Sequence, residues 1–184
     1  MTVEEIFTKL SSHMVTAMMI HDQLADAFAF LNLNGFKRIS EYQFKSESMC
    51  YRKLNRFYID RYNKLISESR VEDPALIPDS WHNYKRWEVD VGSKRNAVKT
   101  MLDHWVSWER ETKKMYQDMS HELSMSGEVS ASLYVDRLVK EGDCELKKAD
   151  RIMIDLASAD YDMTYILDMQ KPLHDKYKKL AKKI

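Results

Sequence analysis

The sequence predicts an all-α fold: a four-helix bundle of two antiparallel helical hairpins joined by one long crossover, with a shorter helix after it. Three observations predict it. Only four glycines and three prolines occur in 184 residues, so long segments contain no breaker. Apolar residues recur every three or four positions over four long stretches, the period of a helix with one buried face. A single long irregular segment separates the second stretch from the third. The composition agrees, at 44% hydrophobic and 32% charged residues, with 12 methionines and 10 tyrosines where a sheet protein would carry valine and isoleucine. The whole chain, 1–184, reads as one domain.

The first helix is expected from about Val3 to Leu31, with Ile6, Leu10, Met14, Ala17, Leu24, Phe28 and Leu31 inward. "NLNG" at 32–35 ends it, and Gly35 suits a left-handed cap. The second helix follows at once, from about Phe36 to Ile66, and so short a link makes the pair an antiparallel hairpin. Residues 68–92 hold two prolines and no sustained period, which predicts an irregular crossover. The third helix is expected from about Lys94 to Ser124. "MSGE" turns the chain, and the fourth helix runs from about Glu128 to Ser158. A basic segment, Met163 to Lys183, looks helical but interrupted at Pro172.

Charge and cysteine content exclude several classes. Lys+Arg and Asp+Glu both number 29, and zero net charge argues against a general nucleic-acid binder. The charge is nevertheless uneven, with eight Lys/Arg against three acids in residues 37–64. Two cysteines, Cys50 and Cys144, make no disulfide framework. The acidic start "MTVEEIFTKL" lacks the positive region of a signal peptide, and no apolar run approaches a bilayer span of roughly 18 residues. The expected setting is cytoplasmic. No Gly-rich phosphate loop, zinc-spaced Cys/His set or nucleophile elbow is present.

Polar residues interrupt the apolar stripes. On a helical wheel His13 and His21 fall inward on the first helix, and Gln43, Glu47 and Cys50 on the second. Glu109 does so on the third and Glu145 on the fourth, with Glu141 at the margin and Cys144 toward the flank. Counting from the hairpin turns sets Glu47 opposite Ile20 and His21, and Glu109 opposite Asp143. Wheel and height together place carboxylates from three helices, plus a histidine, near one level of one core. A lone buried carboxylate costs several kcal/mol unless it is neutralised, paired or bound to a metal. Two divalent cations, iron or manganese, would resolve the repulsion among several. The bland alternatives are a hydrogen-bonded core histidine at His21, a small buried hydrophobe at Cys50, and glutamates paired with Arg61 or with lysine stems.

The order of helices and the stretch "EYQFKSESMCYRKL" resemble the ferritin-like superfamily over residues 3–158. The second helix of that family carries Glu-x-x-His before a similar basic-Leu ending; here the pair is Glu47 and Cys50. The resemblance implies that Glu47 and Glu109 match the glutamates of the second and third helices, and that Glu141 or Glu145 matches that of the fourth. Cys50 stands where histidine is expected. The first helix has no inward glutamate, and His21, or His13, takes that role. The implied function is di-metal binding, with iron oxidation or storage, in a protein that could form an oligomer. The competing reading is a metal-free bundle that binds a protein or nucleic acid through exposed Lys45 and Arg52 of the basic second helix, with the lysine-rich tail and the aromatic "WHNYKRW" as further contact surfaces. The style of "HDQLADAFAFLNLNGFKR" resembles accessory proteins of bacteria and their phages, which implies for this second reading a counter-defence, anti-CRISPR-like inhibitor.

Overall fold

The computed structural model describes residues 1–66, 85 and 88–182. Among them are five helices and no strand: α1 Val3–Phe30, α2 Asn34–Tyr62, α3 Val91–Met125, α4 Val129–Ser158 and α5 Met163–Leu180. Most of the expected crossover, including nearly all of "WHNYKRW", lies outside the described residues. None of the described helices is long and apolar enough to cross a membrane.

Local chemistry fixes the helix starts. Thr2 and Glu5 form a capping box on α1, each side chain bonding the other's backbone N–H. Asp90 caps α3 by accepting from Ser93 N at 2.9 Å, and Asp162 caps α5 by accepting from Tyr165 N at 3.0 Å. Helix α2 begins without a side-chain cap from its own N-cap residue, Leu33. Its free N–H groups are met from α5, where Gln170 Oε1 accepts from Gly35 N at 2.9 Å and Phe36 N at 3.3 Å.

Three expectations are corrected here. Gly35 is not the left-handed cap; Asn32, at φ 61°, turns the chain, and Gly35 lies inside the first turn of α2. Its role is close approach, since a Cβ there would stand 2.6 Å from the carbonyl oxygen of Gln170. Nor does Pro172 interrupt the last segment: α5 runs through it. Pro172 and Asp168, whose carbonyl loses its helical partner, are both exposed, so water can satisfy that group. The second helix also stops at Tyr62, ended by Asn63 in the left-handed region at φ 52°.

Aromatic contacts show the register. Phe7 of α1 packs on Tyr58 of α2 with ring centroids 5.0 Å apart, and Phe28 stacks on Phe36 at 5.2 Å, so α1 and α2 run antiparallel from their shared turn. Ser120 and Ser132 bond across α3 and α4, as do Lys113 and Asp143 farther along. The apolar interior forms two clusters. One gathers Ile20, Leu24, Phe36, Ile39, Leu102, Trp105, Ala149 and Ile166; the other gathers Phe7, Leu10, Met14, Leu54, Tyr116, Leu123 and Val135. Between them, at mid-height, α1 to α4 each contribute residues belonging to neither: Ala17, Gln43 and Glu47, Glu109 and Thr112, Gly142 and Glu145.

Candidate functional site

This middle layer is the candidate site. It surrounds a cavity of about 380 Å3, lined among others by Glu47, Cys50, Glu109, Glu141, Cys144 and Glu145. A continuous apolar core would have filled the space. The polar stripe positions of α2, α3 and α4 leave it open and lined with carboxylates.

Glu109 is 5% exposed, and its Oε1 accepts from Trp105 Nε1, one turn earlier on α3, at 3.0 Å. Burial pushes its carboxyl up to about 7; the Trp105 hydrogen bond opposes this, Glu145 adds to it, and the Lys148 ammonium opposes it. Glu47 as a residue is only half-buried, but its carboxyl sits in the interior. Burial, then the charges of Glu109, Glu145 and Glu141, push it up to about 8. No described group donates a hydrogen bond that would hold it charged. Glu145 is better provided for: Gln43 Nε2 and Lys148 Nζ each donate to it at 2.6 Å. Exposed Glu141 accepts the Cys50 thiol at 3.6 Å. Burial and the carboxylates of Glu47 and Glu141 push that thiol up to about 12, so it is neutral.

Of the residues singled out in the sequence, the cavity gathers Glu47, Cys50, Glu109, Glu141 and Glu145. It does not gather His21. That side chain is 2% exposed on α1, beyond Ala17, and burial lowers its pKa to about 3, so it is neutral. His13 comes nearer, because its Nε2 bonds Oγ1 of cavity-lining Thr112 at 2.6 Å while its ring stacks on Trp108 at 4.3 Å. Arg61 is exposed and pairs with Glu128, far from the carboxylates. Lys45 and Arg52 are exposed on α2.

Sequence reasoning missed Lys148, Trp105 and Thr112. The first two carried a signal, since Lys148 follows Glu145 by three and Trp105 precedes Glu109 by four, the spacings at which helical side chains meet. Among the described residues no three His, Cys, Asp or Glu side chains, as placed, are arranged to hold a metal ion. In kind the donors do suit a hard divalent cation, being carboxylates from three helices with more negative charge than Lys148 offsets. Rotation of their side chains into the cavity is what binding would require. At this level α1 offers Ala17 and no carboxylate.

No protein-family model matches the sequence, and no curated protein matches it. Solved structures do. The chain is similar to a humanized archaeal ferritin, with 14% identity, a TM-score of 0.74, and 93% of this chain and 94% of that one covered. It is similar to an open-pore ferritin from the hyperthermophilic archaeon Archaeoglobus fulgidus, at 16% identity and TM-score 0.71, over 92% and 93% of the two chains. An engineered closed form of the Archaeoglobus fulgidus ferritin gives 16% identity and 0.72 over 95% and 96%. The protein therefore has the ferritin-like fold, a four-helix bundle with a short C-terminal helix.

Proposed function

We propose that the protein is a ferritin-like metal-binding protein that takes iron(II), or manganese(II) in its place, into the mid-bundle cavity, for oxidation or storage of iron. One observation carries this reading: Glu47, Glu109, Glu141 and Glu145, from three helices, line one cavity where burial first, and neighbouring carboxylates second, push the carboxyls of Glu47 and Glu109 up to about 8 and about 7. Such a group of carboxylates is costly until cations neutralise it. Glu47, Glu109 and Glu145 would hold the cation, with Glu141 toward the surface. Glu47 and Glu109 would have to release their protons to bind it. Trp105 orients Glu109, and Gln43 orients Glu145. Bound iron would supply a redox-active centre that carboxylates alone lack.

The test is anaerobic iron(II) binding, followed by metal analysis of the washed protein. Glu47→Ala and Glu109→Ala are each expected to abolish uptake, because few anionic ligands are available and each loss leaves the set incomplete. Metal content unchanged in both variants would refute the assignment.

A second reading draws on two observations: Lys148 already neutralises Glu145, and Ala17 stands where α1 would supply a ligand. In that reading the layer is metal-free and the bundle acts by binding an acidic protein or nucleic acid through Lys45 and Arg52, as a phage counter-defence, anti-CRISPR-like inhibitor would. Loss of that binding on charge reversal of both residues is its test.

A further inference from the structure

The carboxylates of the middle layer are unequally provided for. Both oxygens of Glu145 have a donor: Lys148 Nζ donates to Oε1 and Gln43 Nε2 to Oε2, each at 2.6 Å. The Lys148 head is turned inward along α4, and its charge reaches Glu109 as well. Glu47, by contrast, meets other carboxylates and, among the described residues, no donor. Glu109 accepts the uncharged indole N–H of Trp105, and Glu141 the uncharged thiol of Cys50. Among the described residues none of these three glutamates forms an ion pair, whereas Glu145 does. The layer thus has two halves. Gln43, Glu145 and Lys148 are complete in hydrogen bonds and charge; Glu47, Glu109 and Glu141 are not.

An ammonium in hydrogen-bond contact with a carboxylate neutralises it much as a bound cation would. We propose that Lys148 holds the place of a second metal ion, so that the layer takes one divalent cation per chain, on Glu47 and Glu109, with Glu145 shared between that cation and the ammonium. The inference rests on the reading that the cavity takes iron(II) or manganese(II), and it sets how many ions enter. Sharing is possible because each carboxylate oxygen has a lone pair beyond the one its present donor uses. A second divalent cation would stand close to the Lys148 ammonium, and like charges at short range in the interior repel strongly. Ala17 of α1 adds no carboxylate to offset that repulsion.

Manganese(II) is the probe, because its electron paramagnetic resonance separates an isolated ion from a coupled pair. The full-length protein is titrated with manganese(II), and bound ions are counted against free. The expected result is one manganese ion per chain with the signal of an isolated ion. Lys148→Met, which keeps a long stem and removes the charge, should take a second ion and show the signal of a coupled pair. Lys148→Gln should do the same, and Lys148→Arg, which keeps the charge, should stay at one. Unchanged circular dichroism shows that each variant is folded. Two ions in the wild type, or one ion or none in the folded Lys148→Met and Lys148→Gln variants, would overturn the stand-in role while leaving the cavity's metal binding intact. If the wild type binds neither manganese(II) nor iron(II), the proposed function falls with it.

Discussion

Glu47 and Glu109 set the pH behaviour of the cation-free protein. Their carboxyls are raised from 4.5 to about 8 and about 7 on folding, so from pH 4.5 upward the folded state holds protons that the unfolded chain has lost. Stability from these two groups is complete below pH 4.5 and is lost as pH rises through 7 and 8. The buried histidines act in the opposite sense. His13 and His21 fall from 6.5 to about 4 and about 3, so their contribution is complete above pH 6.5 and is lost as pH falls toward those values. Between pH 4.5 and 6.5 the two pairs offset each other. Urea midpoints should therefore be nearly flat across that window, fall between pH 6.5 and 8, and fall again below 4.5. Glu47→Gln should remove part of the alkaline loss; an identical alkaline fall in that variant would show that Glu47 does not titrate there. The glutamates were legible because each breaks an apolar stripe, and a wheel detects that. Lys148 was missed on the wheel, which plots Cα directions without the length of the stem, although its spacing of three from Glu145 was there to read. Ala17 was read as core, and it is; the missing α1 glutamate was legible too, but that His21 does not take its place becomes visible only beside the other three helices.

The join between α2 and α5 shows why element boundaries were harder to read than the elements. "NLNG" offers several residues that tolerate a left-handed turn, and local propensity alone favours glycine. The choice was made at long range. Gly35 must face the backbone of Gln170 at a distance no Cβ permits, so the turn falls to Asn32. The same contact supplies the cap that α2 lacks. Gln170→Ala should cost about 1 kcal/mol, the usual loss for a helix cap. Gly35→Ala should cost about 1–3 kcal/mol, because its methyl meets backbone atoms and the two helices must separate. Urea unfolding of both variants is the measurement. A smaller loss for Gly35→Ala than for Gln170→Ala would show that the helices part easily. Pro172 follows the same logic: a proline usually ends a helix, and only the exposure of that side of α5 reveals that its missing bond can be made to water.

Across the whole molecule, the order of helices was readable because breakers are rare and the stripes are long. The connection between α2 and α3 was readable only as a gap in period. Charge is also organised at this scale. The chain is neutral, yet Lys45 and Arg52 lie seven residues apart, two turns along one face of α2, and among the described residues neither forms an ion pair. Their neighbours Lys37 and Arg38 do, both with Glu41, so the unpaired stretch of the face begins beyond them. Attraction from such a face is local. At physiological ionic strength charges farther apart than about 8 Å are largely screened, so only a partner in close contact gains from it. If the protein works through this surface, an acidic partner recovered by pull-down from host lysate should be retained most strongly at low salt and progressively lost as salt rises. Lys45→Glu with Arg52→Glu should reduce recovery of that partner several-fold at low salt. Circular dichroism should be unchanged, because both side chains are exposed and no contact in the core depends on them. Equal recovery by the wild type and the double variant would show that this face only keeps the bundle in solution. The same pull-down with Glu47→Ala should recover the partner undiminished if the surface acts alone, since a metal-free bundle does not need the mid-bundle carboxylate.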